Sequence, residues 1–232
     1  MKIATLTSSS WSHAQVVNLR TAYGFVFDLP TPWAKHLEGS FFPQALLGDG
    51  QRAGEPVWDF DHGSRDLERS AHCNSLVVRW ILRQHGICLV GPSAASLIDP
   101  VPIAMLCAEM CRTAVDWGRE ILADPDRWAN RFYQGFIALN YSRVLRNLNV
   151  GEVGSKRTGA EWMKRRNPSF TALIDRAWAS RSNPAQSVRE PANTQDYRQS
   201  LDLLRYVIDQ CERFDGGAPP GHAQSTPLET RR

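Results

Sequence analysis

Residues 131–166 have the sequence RFYQGFIALNYSRVLRNLNVGEVGSKRTGAEWMKRR, which predicts a long helix, a tight turn and a second helix. Apolar side chains occupy more than one side of the first helix, a pattern typical of a helix at the centre of a bundle. Gly151 suits the left-handed position that ends a helix, and Ser155 is a natural N-cap for the next one. We therefore expect a helical bundle built around this segment.

Two cations, Lys156 and Arg157, open the second helix of this segment. A helix N-terminus carries partial positive charge, so an exposed cation there costs from a few tenths to about 1 kcal/mol, and a bound anion such as phosphate would reverse that cost. One interpretation is a solvated basic turn, and the other is an anion site. The spacing alone leaves both interpretations open.

Composition and charge exclude several classes of protein. The chain has 232 residues, of which 42% are hydrophobic and 22% are charged, as is ordinary for a globular protein. A net charge of +3 is too small to indicate a nucleic-acid partner, and the apolar runs are too short to span a bilayer. Residues 1–10 lack the apolar core of a signal peptide. We expect a cytoplasmic protein with neither a membrane nor a nucleic-acid partner.

The cysteines give no metal-binding pattern. Five is an odd number, and their spacing does not match that of known metal sites, so we expect reduced thiols and assign no metal ligand. The five residues are Cys73, Cys88, Cys107, Cys111 and Cys211.

The pattern of the remaining chain predicts an α+β protein that is mostly α, with a helical bundle packed on a small sheet. The main strand signals lie at residues 38–42 and 57–60; from Asn74 onward the pattern is helical, apart from a short strand or extended piece at 87–90. Residues 1–10 are expected to be frayed. The predicted divisions are a partial catalytic domain at 1–70, a helical domain at 71–214 and a disordered tail rich in proline and glycine at 215–232.

Two motifs resemble aminoglycoside adenylyltransferases. GEVGSKRTGAEW at 151–162 is similar to a turn in the C-terminal helical domain of that family, where a Gly, a Ser-Lys pair and an Ala-x-Trp follow a helix containing an arginine, here Arg143. WILRQHGICLVGPSAASLIDPVP at 80–102 resembles the family's helix, short strand, Gly-Pro turn and proline-containing link into the bundle. The resemblance covers about residues 36–210. It implies adenylyl transfer from ATP, with Mg²⁺, to a hydroxyl of an antibiotic or another small molecule.

The resemblance also implies roles for single residues. Glu38, in LEGSFFP, matches the sheet strand that carries the family's third carboxylate, which makes it the candidate general base; the alternative is an edge-strand carboxylate without a catalytic role. Lys156 is the candidate ligand for nucleotide phosphates, and Ser155, the N-cap beside it, is a further candidate nucleotide-binding residue. Arg143 is either a salt-bridge anchor or a second phosphate contact.

Three residues are candidates for binding the acceptor substrate. His72 and Asn74 belong to a polar cluster that precedes a helix; the alternative is a solvated loop in which Asn74 caps that helix. Tyr133 falls near a position where antibiotic-modifying members place a carboxylate to bind a cationic aminoglycoside. The acceptor is therefore either an aminoglycoside or a different hydroxyl compound.

The chain departs from the family in its metal site. Residues 1–37 contain neither the Gly-Ser turn nor the Asp-x-Asp pair that holds Mg²⁺, and Asp59-Phe60-Asp61 follows Gly39-Ser40 at too great a distance to replace them. We expect either a truncated gene product or a chain that has lost the chemistry. A non-catalytic nucleotide-binding or partner-binding helical domain is the alternative function. A DNA-binding protein is disfavoured because the basic residues are scattered.

Overall fold

A computed structural model describes residues 2–6, 12–60, 63–181 and 189–214. The α-helices of these residues are α1 His13–Phe27, α2 Gln44–Gly48, α3 Leu76–His85, α4 Ala94–Leu97, α5 Ile103–Ala123, α6 Arg131–Val150, α7 Lys156–Arg166, α8 Thr171–Ala179 and α9 Thr194–Glu212. The strands are β1 Lys2–Leu6, β2 Gly39–Pro43, β3 Val57–Phe60 and β4 Glu68–Ser70. Short 3-10 helices lie at Pro32–His36, Gly50–Arg52, Pro125–Trp128 and Pro168–Phe170. The predicted class, α+β and mostly α, is confirmed.

The chain divides into two compact units after Val101. The first unit contains the sheet and the second contains the helices from α5 onward. The assignment of 1–70 and 71–214 to separate domains stays a prediction, although Leu82 of α3 packs on the core of the first unit together with Phe42 and Ile98. The predicted disordered tail at 215–232 lies outside the described residues.

The sheet has the strand order β1-β2-β3-β4, with β1 parallel to β2 and the other pairs antiparallel. The expectation that residues 1–10 are frayed is wrong for 2–6, because β1 obtains its hydrogen-bond partners from β2, far along the chain. In the register of the sheet, Ser40 pairs with Asp59 and Val57 pairs with Ser70. Asp59 itself pairs with Glu68, and Oγ of Ser70 donates to the Asp59 carboxylate at 2.9 Å.

Helix α6 lies at the centre of the second unit, as its sequence predicts. Its side chains at Ile137, Leu139 and Leu148 are buried, and the helix packs against α5, α7, α8 and α9. Gly151 ends α6 with a φ of 75°, a left-handed conformation that favours glycine. Ser155 then caps α7, since its side chain accepts a hydrogen bond from the backbone N–H of Thr158. Both predicted helix boundaries are confirmed.

Candidate functional site

The turn between α6 and α7 is fixed by hydrogen bonds from both sides. The N–H of Gly154 donates to Oδ1 of Asn147 at 2.9 Å. The guanidinium of Arg146 donates to the backbone carbonyl of Glu152 at 3.2 Å and pairs with the carboxylate of the same residue. A Cβ atom at Gly154 would lie only 2.7 Å from the Arg146 guanidinium. These contacts set the position of the first turn of α7.

The two helices make backbone contact at one point. A Cβ atom added to Gly159 of α7 would lie 2.4 Å from Cα and 2.7 Å from the backbone nitrogen of Arg143 on α6. Real Cβ atoms do not approach so closely, so only glycine permits this packing. The close approach holds Arg143 near the N-terminal turn of α7, where Lys156 is the first residue.

Lys156 is half-buried, and its Nζ lies 4.4 Å from the centre of the Phe136 ring. Burial, and after it the charges of Arg143 and Arg181, together lower the pKa of its ammonium group to about 8. Within the part of the chain that the structure describes, no carboxylate forms an ion pair with Lys156. The site thus holds a cation that lacks a described counter-charge.

Arg143, like Lys156, is half-buried. Burial lowers the pKa of its guanidinium, and its Nη2 donates to Oδ1 of Asn140 at 2.6 Å. A salt-bridge anchor would need an acidic partner, and residues 2–6, 12–60, 63–181 and 189–214 provide none within 4.0 Å. This favours the second of the two roles predicted for Arg143, contact with an anion.

Tyr133 belongs to an aromatic cluster that contains the ring beneath Lys156. Its ring lies 4.6 Å from that of Trp128 and 6.3 Å from that of Phe136. Burial raises the pKa of its phenol, so the hydroxyl is neutral at physiological pH. The structure therefore brings Tyr133, Lys156 and Arg143 into one region of the second unit. The substrate role of Tyr133 stays a prediction.

The other predicted residues lie in the first unit. Glu38 is exposed and directly precedes β2. Asn74 is fully buried, donates to the backbone carbonyls of Arg52 and Glu55 at 2.9 Å, and accepts from Nε of Arg79. The alternative in which Asn74 caps α3 is wrong, because Ser75 is the N-cap. The roles predicted for Glu38 and Asn74 stay predictions.

His72 lies in a group that the sequence did not reveal. Its Nδ1 is 3.1 Å from Oδ2 of Asp59, and its Nε2 is 3.1 Å from Sγ of Cys73. One donor atom from each of the three residues lies within 4.8 Å of the other two. Adjacent His and Cys residues were the only sequence signal of this group, since Asp59 lies on another element, β3, and meets them only in the folded chain.

The comparison with known proteins concerns mainly the second unit. Residues 96–204 match the family model of the aminoglycoside adenylyltransferase C-terminal domain. The C-terminal part of this chain is aminoglycoside adenylyltransferase-like. Lys156 and Arg143 lie inside the adenylyltransferase-like region, whereas Glu38, His72 and Asn74 lie before it.

Individual relatives agree with this match. Aminoglycoside (3'') (9) adenylyltransferases of Klebsiella pneumoniae, Shigella flexneri and Escherichia coli are each 31% identical to the chain over 87 residues. The aligned part is 38% of this chain and spans only 30% of the length of these relatives. Among the described helices, none is both long enough and apolar enough to cross a membrane.

Proposed function

We propose that this protein acts in adenylyl transfer from ATP to a hydroxyl of an aminoglycoside-like or other small molecule, and that Lys156 and Arg143 bind the nucleotide phosphates. The observation that carries the proposal is a pair of half-buried cations without a described acidic partner, inside the adenylyltransferase-like region.

Electrostatics supports a phosphate ligand at this place. Burial lowers the pKa of both Lys156 and Arg143, so both charges are held where solvent stabilises them poorly. A triphosphate would supply the missing counter-charge. The first N–H groups of α7 add partial positive charge. The planar guanidinium of Arg143 and the compact ammonium group of Lys156 are both suited to phosphate oxygens. Ser155 contributes by capping α7 and holding its first turn.

The chemistry of the proposed reaction assigns one further role. The acceptor oxygen attacks the α-phosphorus of ATP. The bond between this phosphorus and the oxygen that bridges to the β-phosphorus breaks, and pyrophosphate leaves. The hydroxyl proton passes to a base, for which Glu38 is the candidate. The carboxylate of Glu38 is exposed just before β2, and no described cation forms an ion pair with it.

The one group of three potential metal ligands in the described part of the chain does not fit the Mg²⁺ that such a reaction uses. Mg²⁺ prefers octahedral oxygen ligands, chiefly carboxylates and phosphates. The one group of three potential ligands in the described part of the chain contains a single carboxylate beside an imidazole and a thiol. No step is therefore assigned to Mg²⁺ here.

ATP binding tests the phosphate site. Calorimetric titration of the full chain should show binding that weakens about 10-fold to 100-fold in Lys156→Met, the loss expected for one charge-assisted contact. Lys35→Met is the matched control, because Lys35 also has its Nζ over an aromatic ring, that of Phe27, at 3.6 Å. Equal ATP affinity in wild type and Lys156→Met would refute the phosphate role.

Turnover is tested separately. Wild type and Glu38→Gln should be incubated with Mg²⁺-ATP and a panel of aminoglycosides and aminocyclitols, with mass spectrometry of the products. We expect an adenylylated product from wild type and little from Glu38→Gln. ATP binding without any product would favour the alternative function, a non-catalytic nucleotide-binding or partner-binding helical domain.

A further inference from the structure

The buried carboxylate of Asp59 is only partly satisfied. Asp59 is 3% exposed, and its Oδ2 accepts a hydrogen bond from Oγ of Ser70 at 2.9 Å. Its Oδ1 is buried and has no hydrogen-bond partner among the described residues. A buried, unsatisfied carboxylate oxygen is costly, and native structures usually provide it with a donor, a water or a cation.

Two side chains with metal-binding chemistry lie next to this carboxylate. His72 and Cys73 occupy the turn between β4 and α3, and the side chain of His72 reaches Asp59 on β3, the strand that pairs with β4. The imidazole and the thiol are 3.1 Å apart, and the imidazole is 3.1 Å from Asp59. We propose that Asp59, His72 and Cys73 bind a zinc ion.

The distances are compatible with this assignment. Zinc binds nitrogen and oxygen at about 2.0–2.2 Å and sulfur at about 2.3 Å, so ligand atoms of a tetrahedral site lie roughly 3.3–3.7 Å apart. The three donor atoms already lie within 4.8 Å of one another. The side chain of His72 is 59% exposed, so it can rotate to present either nitrogen to the ion. Binding therefore requires the side chains to close in on the ion, which the exposure of His72 permits.

The kind of donor selects the metal. Thiolate and imidazole are borderline or soft ligands that suit zinc, whereas Mg²⁺ and Ca²⁺ take oxygen ligands. Three protein ligands, with water in the fourth position, form a standard open zinc site. The imidazole can offer the metal either Nδ1, which is 3.1 Å from Oδ2 of Asp59, or Nε2, which is 3.1 Å from Sγ of Cys73.

The turn that carries His72 and Cys73 is held in place by its next residue. Asn74 is fully buried and is hydrogen-bonded to two backbone carbonyls and to Arg79. The guanidinium of Arg79 in turn donates to the carbonyls of Leu46 and Leu47. The ligand-bearing turn is thus attached to the core of the first unit, so little conformational entropy is lost when the ion binds.

Zinc affinity and stoichiometry provide the first test. The purified full chain, freed of metal with a chelator, is titrated with Zn²⁺ against a chromophoric competitor. We expect one zinc per chain, and at least about 100-fold weaker binding in Cys73→Ser and His72→Gln, since losing even an outer-shell partner costs about 10-fold to 100-fold. Cys88→Ser, which removes an exposed thiol of the same unit outside the proposed site, should bind zinc as wild type does.

Thiol protection provides a second test that needs no variant. Alkylation of wild type by iodoacetamide, followed by mass spectrometry of peptides, measures the rate at each cysteine. Zn²⁺ should slow alkylation of Cys73 at least about 10-fold and leave Cys88 unchanged, while Mg²⁺ should protect neither.

With Co²⁺ in place of Zn²⁺, a thiolate charge-transfer band should appear in wild type and be absent in Cys73→Ser.

Either of two results would overturn the proposal. One is zinc binding of equal strength in wild type, Cys73→Ser and His72→Gln, which would place the ion elsewhere. The other is an alkylation rate of Cys73 that is the same with and without Zn²⁺. Both results are independent of ATP binding, so they leave the proposed function untouched.

Discussion

The ammonium group of Lys156 lies 4.4 Å from the centre of the Phe136 ring, and the structure describes no carboxylate paired with it. A ring face attracts a cation, but less strongly than the water it replaces. The charge on Lys156 is consequently disfavoured in the folded protein, which has consequences for stability as well as for binding.

We predict that the protein becomes more stable, relative to Lys156→Met, as the pH rises from 8 to 10.5. The folded-state pKa of Lys156 is lowered to about 8 from 10.5. Below pH 8 the lysine is protonated in both states, so the folded state carries the full desolvation cost. Above 10.5 it is neutral in both, and the cost is gone; the unfolded state binds more protons in between.

Urea denaturation of both proteins at pH 7 and pH 10 measures this difference. Methionine has similar length and does not titrate, so the comparison isolates the ammonium group. A difference in the free energy of unfolding that stays constant from pH 7 to pH 10 would contradict the prediction.

A second prediction concerns the influence of Arg143 on Lys156. The charge of Arg143 is the second cause of the lowered pKa of Lys156, after burial. Arg143→Met should therefore raise the pKa of Lys156. Competitive acetylation across a pH series, read by mass spectrometry, reports the pH at which the amine becomes reactive. Arg157→Gln, an exposed neighbour that is not among the causes of the shift, should leave that pH unchanged.

A third prediction concerns the contact between α6 and α7. Gly159→Ala should lower the free energy of unfolding by about 1–3 kcal/mol, because its Cβ would lie 2.4 Å from the backbone of Arg143. Gly135→Ala is the matched control on α6: its Cβ would meet only the Ala177 carbonyl, at an ordinary 3.7 Å. Alanine favours helix over glycine by about 1 kcal/mol, so this control should be neutral or stabilising. Thermal unfolding of both variants would show whether their effects differ in sign.

A fourth prediction concerns the anchor of the first unit. Asn74→Ala should destabilise the protein by about 2–3 kcal/mol, because it removes the two amide bonds to the carbonyls of Arg52 and Glu55 and the buried acceptor of Nε of Arg79. Asn149→Ala removes one amide bond, to the carbonyl of Leu145, from an exposed residue and should cost less than about 1 kcal/mol. Similar losses in the two variants, measured by urea denaturation, would refute the anchoring role.

The helices were the predictable part of the fold because their signals are local. Gly151 and Ser155 mark the end of α6 and the start of α7 through their own backbone and side-chain chemistry. The strands were less predictable. The three residues of β4 are polar and form a strand because they pair with β3, and β1 depends on β2 in the same way.

The candidate sites divide in the same manner. Lys156 was identified because a cation at a helix N-terminus is unusual in itself. The proximity of Lys156 to Phe136 and Arg143 depends on how α6 packs against α7, which no local sequence pattern indicates. The group of Asp59, His72 and Cys73 was missed because Asp59 lies on β3, whereas the other two residues lie in the turn after β4, and only the folded chain brings them together.

The backbone contact between Gly159 and Arg143 has a consequence for selectivity among anions. Because α6 and α7 touch there without an intervening side chain, they cannot slide past each other to suit a ligand. In the proposed phosphate site, the positive groups of Lys156 and Arg143 are therefore held at a fixed spacing. An anion whose negative oxygens match that spacing can engage both at once, and one with a single compact charge reaches only one, so discrimination rests on the spacing of charge along the ligand more than on its total.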